Sequence, residues 1–239
     1  MANLAQSPSN RLLALLPAED RRFIEKLLKD YSSKAGEVLQ EPGEPLAYVY
    51  FPHTGMVSLL TVMKNGQAIE TATIGNEGAI GAEAGAGTTK AITRAVVQID
   101  FTASRMGRTE FLKCVERRPV IRMLAHRATE ALIGQMQQTA ACNALHSIDT
   151  RLARWLLQSQ DRSANGNPIT LTQEFLSEML AVRRTSVTEF AKALQDQGLI
   201  KYRRGSIEIL NRAGLEKKAC ECYGAVAKQT REITARPLK

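Results

Sequence analysis

The chain has 239 residues, of which 44% are hydrophobic and 23% are charged, an ordinary composition for a globular protein with one large or two small domains. Its apolar runs are far shorter than the roughly 20 residues of a membrane span, and its first residues lack a secretory signal, so we expect a cytoplasmic protein. Most of the net charge of +8 lies in residues 147–239, which contain 16 Lys and Arg and 10 Asp and Glu; residues 1–146 contain 16 Lys and Arg and 14 Asp and Glu. This asymmetry favours a polyanionic partner for the C-terminal part, and nucleic acid is favoured over a membrane.

The first hundred residues predict two short helices followed by a β domain. Apolar residues recur at helical spacing over residues 10–30, and Pro17 is expected to start the second helix. From Ser33 to Phe101 short β-rich runs alternate with glycine and proline, Gly55 being one separator, which indicates a small β barrel or sandwich. Asn65-Gly66 predicts a hairpin of type I′, in which both residues take positive φ.

After about Arg108 the sequence predicts helices. A long one begins at Pro119 and runs to roughly His146, and its apolar and small residues approximate a heptad seam that includes Ile121, Leu124, Ala128, Thr139, Cys142 and Leu145. Periodicity does not decide whether this seam packs against its own domain or against a second copy of the chain. Ser147 is expected to cap the next helix, and residues 161–168 to form a loop.

The cysteines and histidines form no recognisable ligand set in the sequence. No pair has the CxxC spacing of a structural zinc site, and nothing indicates a secreted disulfide framework. Cys220-x-Cys222 is compatible with metal binding or oxidation, but reduced thiols on a C-terminal helix are the simpler interpretation. The histidines are too scattered to suggest ligands: His53, His126 and His146. We expect no metal site and no cofactor.

Residues 169–210 predict two short helices and a β-hairpin. Thr172 is expected to cap the first helix, residues 181–183 to form a tight turn, and Gly198 to end the second helix. The second helix turns an apolar face inward, with Val187, Phe190, Ala191 and Leu194 at helical spacing. The hairpin pairs residues 199–202 with 206–210 around Arg204-Gly205. This order is that of a helix-turn-helix followed by a wing.

The outward face of the second helix has the chemistry of DNA recognition. The residues left on that face are Arg184, Thr185, Thr188, Glu189 and Lys192. An arginine can make a bidentate contact to guanine, and a carboxylate can accept from cytosine in the same groove. Hydroxyl groups and the helix N-terminus can hold phosphates, and Arg203 and Arg204 on the wing are expected to touch the DNA backbone. An amphipathic surface helix with incidental charges is the alternative.

Motifs spread over nearly the whole chain resemble Crp/Fnr-type transcription regulators. They are AGEVLQEPGE, GNEGAIG with Gly78 and Gly81, RLARWLL at 151–157, and LTQEFLSEMLAVRRTSVT at 171–188. The resemblance implies an α+β fold with an N-terminal cyclic-nucleotide-binding-like β-roll, a long dimerisation helix and a C-terminal winged helix-turn-helix. It divides the chain into a sensor domain (1–117), a dimerisation helix (118–146) and a DNA-binding domain (147–239).

The resemblance also implies site residues and partners. It places Arg184, Thr185 and Glu189 at base-reading positions. The positions that contact phosphates fall on Thr172, Arg183 and Ser186, to which the outward face and the wing add Thr188, Lys192, Arg203 and Arg204. Members of the cyclic-AMP type carry Arg, Glu and Arg at the three base-reading positions. Only Arg184 matches them, so we expect this chain to recognise a different operator. The implied partners are a palindromic double-stranded DNA site, RNA polymerase and a second copy of the chain.

The effector pocket departs further from the nucleotide-binding members. Those members follow the glycine of the roll with a ribose-binding glutamate and later carry an Arg-Ser pair for the cyclic phosphate. Here Gly81 is followed by Ala82, and the Arg-Ser positions fall on Thr89 and Lys90. Without that arginine a buried phosphate has no bidentate partner, so we expect that the chain does not bind cyclic AMP.

Two functions of other classes compete with a DNA-binding regulator. One is a regulatory module whose β domain binds a small molecule and whose C-terminal domain contacts a protein. The other is an enzyme, but the sequence has no HExxH, GxSxG or phosphate-loop motif and no cysteine–histidine arrangement typical of catalysis. We therefore expect a protein without catalytic residues.

Overall fold

The computed structural model describes residues 10–163, 168–170, 173–203 and 205–238. A 3₁₀-helix, Leu13–Leu15, is followed by α1, Ala18–Glu25, and Pro17 caps α1 where the sequence predicted a helix start. The strands that follow are β1 (Lys29–Ser33), β2 (Val38–Gln40), β3 (Tyr48–Val62), β4 (Ala68–Ile74) and β5 (Arg94–Gly107). Within the described residues they form one five-stranded antiparallel sheet, in which β5 pairs with β1, β2 and β3, and β3 also pairs with β4.

Gly55 bends a strand and does not separate two, which corrects the sequence prediction. It lies inside β3 with φ +86°, and the pairing of β3 with β5 shifts register on both sides of it. A Cβ at this position would lie 2.3 Å from the carbonyl oxygen of Asp100. Glycine therefore lets the two backbones approach closely while the strand continues around the bend.

The hairpin between β3 and β4 is real, but the predicted type I′ turn is wrong. The N–H of Gly66 donates to the carbonyl of Met63 at 2.9 Å, so Lys64 and Asn65 lie at the centre of the turn. Gly66 has φ +84°, whereas Asn65 does not take positive φ. A longer loop with one left-handed residue at its end thus replaces the two-residue loop.

Three helices follow the sheet: α2 (Arg108–Arg117), α3 (Pro119–Leu145) and α4 (Ile148–Arg162). The predicted long helix is α3, and its seam packs against its own chain. Ile121, Leu124, Ala128, Thr139 and Cys142 are buried, although Leu145 is exposed. Gln135 on the same side donates to Thr73 of β4 at 3.1 Å. The opposite side of α3 carries an exposed line at heptad spacing, which includes Met123, Glu130, Ile133, Gln137, Ala140 and Ala144.

The C-terminal part builds the winged helix. Its elements are β6 (Ile169–Thr170), α5 (Gln173–Leu180), α6 (Arg184–Asp196), β7 (Ile200–Arg203), β8 (Ser206–Ile209), α7 (Arg212–Lys218) and α8 (Cys222–Ala235). In the described part of the chain β8 lies between β6 and β7 in an antiparallel sheet. Helix α8 returns along α3, and the end of the Gln229 side chain occupies the space that a Cβ on Gly134 would fill.

One apolar core joins the β domain to the winged helix. Met56, Leu60 and Val96 of the five-stranded sheet belong to the same buried cluster as the core of α4, α5 and α6, which includes Leu152, Trp155, Leu176, Val187 and Leu194. Helices α4, α5 and α6 are therefore held against the sheet by burial of apolar area. In the ranges that the structure describes, no helix is long and apolar enough to cross a membrane.

Candidate nucleic-acid interface

The turn between α5 and α6 is a helix C-cap in which alanine takes the place of glycine. Ala181 has φ +53°, the left-handed conformation that usually requires glycine. The N–H of Val182 donates to Ser177 at 3.0 Å and that of Ala181 donates to Glu178 at 3.2 Å, which satisfies the last carbonyls of α5. This closes α5 and turns the chain into α6 within three residues.

A buried arginine on α4 hydrogen-bonds to the last residue of α5, next to the same turn. Arg151 is 7% exposed, and its Nη2 donates to the carbonyl of Leu180 at 3.0 Å. Leu180 is the last residue of α5, so the guanidinium satisfies a terminal carbonyl and interacts favourably with the negative end of the helix dipole. Helix α4 thus positions the helix-turn-helix as well as packing beneath it.

Helix α6 has one buried and one exposed face. Val187, Ala191 and Leu194 are fully buried. The side chains predicted to contact DNA lie on the opposite face: Arg183, Thr185, Thr188, Glu189 and Lys192 are exposed, and Ser186 is half-buried. The structure therefore brings these predicted residues together on one accessible surface.

Three of the predicted site residues are only partly covered or not covered by the structure. Arg184 is the first residue of α6, but its side chain lies outside the described part of the chain. Thr172 and Arg204 lie outside the described residues altogether. Their assignments to bases and phosphates rest on the sequence.

The N-terminus of α6 is suited to an anion. Arg183 is its N-cap residue with extended backbone, and its side chain makes no capping hydrogen bond. The first N–H groups of a helix without a side-chain cap point outward at the positive end of the helix dipole, where phosphate oxygens can accept from them. The exposed guanidinium of Arg183 adds a full positive charge at the same end.

The wing, which is the β7–β8 hairpin, is hydrogen-bonded to α6 and has basic residues on its exposed surface. The side chain of Gln195 accepts from the N–H of Tyr202 at 2.8 Å, linking the end of α6 to β7. Arg203 at the end of β7 is exposed, and Gly205 in the turn has φ +79°. Lys201 lies 4.0 Å from Glu208 across the hairpin, so its charge is partly compensated while Arg203 faces solvent.

In the N-terminal β domain, the residues at the positions that bind the nucleotide in the resembling family offer little to a nucleotide. Ala82 is 2% exposed and belongs to a short 3₁₀-helix, Ala82–Ala86, whereas Thr89 and Lys90 are exposed. Arg94 forms an ion pair with Glu41 at 2.9 Å. Burial raises the pKa of Glu83, the next residue along the 3₁₀-helix, so this carboxyl tends toward its neutral form.

One group of candidate metal-binding side chains was not predicted from the sequence. Cys142, His146, Cys220 and Cys222 converge, with their ligand atoms all within 4.8 Å of one another. The C-terminal helix begins at Cys222, so Cys220 precedes it and does not lie on it. The available signal was the pairing of Cys142 with His146 at i, i+4, which puts both on one side of a helix, together with Cys220-x-Cys222.

Two family models match the chain. The cyclic nucleotide-binding domain matches residues 32–118, and the Crp-like helix-turn-helix domain matches residues 150–218. No curated protein sequence matches the chain.

Several solved structures have the same fold. FixK2 from Bradyrhizobium japonicum is 18% identical with a TM-score of 0.68, over 81% of this chain and 98% of that one. A transcriptional regulator of the Crp/Fnr family from Eubacterium rectale is 16% identical with a TM-score of 0.68, over 89% and 99% of the two chains. CLP from Xanthomonas campestris, described as a c-di-GMP-responsive global regulator, is 13% identical with a TM-score of 0.64, over 81% and 99%.

Proposed function

The chain belongs to the Crp/Fnr-type transcription regulators, and from that membership we propose that it binds a specific double-stranded DNA operator as a homodimer. The reading surface is α6 with the β7–β8 wing, and the molecule acts in the cytoplasm together with RNA polymerase and without catalysing a reaction. The sensor domain (1–117), dimerisation helix (118–146) and DNA-binding domain (147–239) divide these tasks.

The division of α6 into two faces is the observation that carries this proposal. Its buried face is anchored by Val187, Ala191 and Leu194, which have no exposed surface. Its other face presents hydroxyl, carboxylate and basic groups, the mixture that hydrogen-bonds to base edges and phosphates. A helix with this exposed face, following a tight turn and preceding a basic hairpin, fits the major groove.

The individual roles follow from the family positions of these residues and from their side-chain chemistry. Arg184 pairs with a guanine, and Thr185 and Glu189 contact neighbouring bases. The phosphate contacts that fix the register come from Thr172, Arg183, Ser186, Thr188, Lys192, Arg203 and Arg204. Because Thr185 and Glu189 stand where cyclic-AMP-type members carry a glutamate and a second arginine, the operator differs from that of those members.

The exposed line on α3 is the proposed dimer interface. It includes Met123 and Ile133, which are 44% and 51% exposed although both are large apolar residues. Small side chains at Ala140 and Ala144 continue the line toward the winged helix and permit close helix packing. A two-fold axis along α3 places two recognition helices in successive major grooves, about 34 Å apart on a palindrome.

The effector is proposed to be something other than cyclic AMP. The methyl group of Ala82 cannot accept hydrogen bonds from a ribose, and Lys90 is exposed and so offers no buried cationic partner to a cyclic phosphate. The structurally similar CLP is described as responsive to c-di-GMP, which supports a broader range of effectors for this fold. Addition of cyclic AMP is therefore expected to change neither the melting temperature nor the DNA affinity.

Selection of bound sequences from a random DNA pool tests the proposal directly. We expect an enriched palindrome and a loss of discrimination at one guanine in Arg184→Ala, by roughly 5- to 150-fold. Lys192→Ala should weaken binding to all sequences alike, because it removes a phosphate contact. Lys228→Ala removes the same charge from the exposed surface of α8 and serves as the control. If no sequence is enriched and Arg184→Ala behaves as the wild type, a module that contacts a protein partner is the better explanation.

A further inference from the structure

Four side chains of types that bind metals converge near the residues that connect α3 to α4. Two come from the end of α3 and two from the start of α8. Cys142 lies in the last turn of α3 and His146 directly follows that helix, whereas Cys220 precedes α8 and Cys222 is its first residue. The Sγ atoms of Cys142 and Cys220 are 3.5 Å apart, and the Sγ of Cys222 is 3.5 Å from Nδ1 of His146. The cysteines are buried free thiols.

These separations suit a tetrahedral zinc ion. Zinc binds sulfur at about 2.3 Å and imidazole nitrogen at about 2.0–2.1 Å, so a tetrahedral site places two sulfurs about 3.8 Å apart and a sulfur and a nitrogen about 3.6 Å apart. The two measured pairs are within a few tenths of an ångström of these values. Three thiolates and one imidazole form a soft, closed ligand set of the kind that structural zinc sites use, and it leaves no position for a substrate.

Two neighbouring side chains, Glu221 and Gln138, are within hydrogen-bond distance of members of this group. His146 is 3.1 Å from Glu221 through Nε2, so Nε2–H can donate to that carboxylate while Nδ1 keeps its lone pair toward the cysteines. Gln138 donates from Nε2 to the Sγ of Cys222 at 3.0 Å. Both contacts fix a ligand in the orientation that a metal requires.

Two buried arginines supply charge that a zinc–thiolate centre would balance. Arg151 and Arg154 are 7% and 6% exposed, and the Nε atoms of both have no hydrogen-bond partner in the part of the chain that the structure describes. Both guanidinium groups are within electrostatic reach of Cys142 and Cys220. Zinc with three thiolates and a neutral imidazole has a net charge of −1, and a buried cation is costly without such a counter-charge.

We propose that Cys142, His146, Cys220 and Cys222 bind one zinc ion that clamps the winged helix to the end of α3. The ion joins the hinge residue His146, whose extended backbone separates α3 from α4, to the segment between α7 and α8. The hinge is thereby held at one angle, and the position of α6 relative to α3 becomes dependent on the metal. The binding site stands by itself, whereas its effect on DNA rests on the proposed function.

Metal analysis of the full chain purified under reducing conditions with zinc supplied is the primary test. We expect about one zinc per chain in the wild type. Cys220→Ala and His146→Gln should lose it, and Cys114→Ala, which removes a buried thiol from the separate core around α2, should retain it. Iron or copper in place of zinc, or equal zinc content in wild type and Cys220→Ala, overturns the assignment.

A cobalt titration of the unmodified chain keeps the proposal testable if the variants do not fold. Co²⁺ in this site should show the intense visible bands of tetrahedral coordination and sulfur-to-cobalt charge transfer, and zinc should displace it. An octahedral spectrum, or a disulfide between Cys142 and Cys220 in a metal-free protein, contradicts the proposal. Chelation should lower the melting temperature and, where an operator has been selected, the affinity for it. If the chain binds no DNA, the metal content and cobalt spectrum still report on the site, so the two failures are distinguishable.

Discussion

Trp155 of α4 donates its indole N–H to Glu70 of β4 across the boundary between the sheet and the winged helix, with Nε1 3.2 Å from Oε2. The hydroxyl of Ser58 donates to the same oxygen at 2.6 Å. Glu70 is buried, and burial raises its pKa despite these two hydrogen bonds and the nearby charge of Arg154. A carboxyl that resists ionisation therefore lies at the contact between the five-stranded sheet and α4.

Replacing Glu70 with glutamine should stabilise the protein at neutral and alkaline pH. The raised pKa of Glu70 means that the unfolded state ionises first as the pH rises, so the wild type loses stability above the ordinary pKa of glutamate until the folded-state pKa is passed. The glutamine side chain cannot ionise, and Glu70→Gln should therefore melt higher than the wild type at pH 8 and alike in acid. Thermal unfolding across this range checks it, with the exposed Glu44→Gln as control. A difference that grows toward acid contradicts the argument.

The ion pair between Arg162 and Glu77 should stabilise the same boundary with the opposite pH dependence. The Nε of Arg162 is 3.0 Å from Oε1 of Glu77, and their side chains are only 11% and 14% exposed. Burial alone would raise the pKa of Glu77, but the charge and hydrogen bonds of Arg162 and backbone N–H groups hold it below its usual value. The pair therefore contributes stability above the ordinary pKa of glutamate, and this is lost as the pH falls through the folded-state pKa.

A double-mutant cycle of Glu77→Gln and Arg162→Met measures that contribution. Each single change leaves a buried polar or charged partner and should cost about 3 kcal/mol at pH 7. The double variant should cost less than the sum of the two, with a coupling of about 1–3 kcal/mol. Denaturant unfolding provides the free energies, and additive single effects would show that the pair does not couple the domains.

The left-handed alanine in the helix-turn-helix predicts a stabilising substitution. Ala181 at φ +53° bears a steric cost that glycine avoids, partly offset by the greater freedom of glycine in the unfolded chain. We expect Ala181→Gly to raise the free energy of unfolding by about 0.5–1 kcal/mol. Ala193→Gly, at an exposed position inside α6, should lower it by a similar amount. Denaturant unfolding measures both, and equal signs would contradict the cap geometry.

Features with a local signature were predictable from the sequence. The helix-turn-helix, the long helix after Pro119 and the glycine at the end of α6 follow from periodicity and from capping residues. Gly55 was misinterpreted because a bulge and a strand end have the same sequence signal. The ligand set was missed because 73 residues separate His146 from Cys220, and only the return of α8 along α3 brings them together.

A charge in the exposed line of α3 should separate the proposed dimer. Ile133→Glu introduces two like charges across the two-fold axis and removes apolar contact, so the variant should sediment as a monomer. Ile92→Glu makes the same substitution at a side chain that is 75% exposed in the β domain, just before β5, and should leave the dimer intact. Analytical ultracentrifugation distinguishes them, and a dimeric Ile133→Glu protein would place the interface elsewhere.

The wing should contribute to affinity through phosphate contact alone. Arg203 is exposed at the end of β7, and each phosphate that a cation neutralises contributes about 0.9 to the slope of log affinity against log salt concentration. Arg203→Ala should therefore reduce the slope by about that amount while leaving the ranking of operator variants unchanged. Arg231→Ala, at an exposed position of α8, should leave the slope as it is. Titrations of the selected operator at several salt concentrations measure both, and a changed base preference in Arg203→Ala would mean that the wing reads bases.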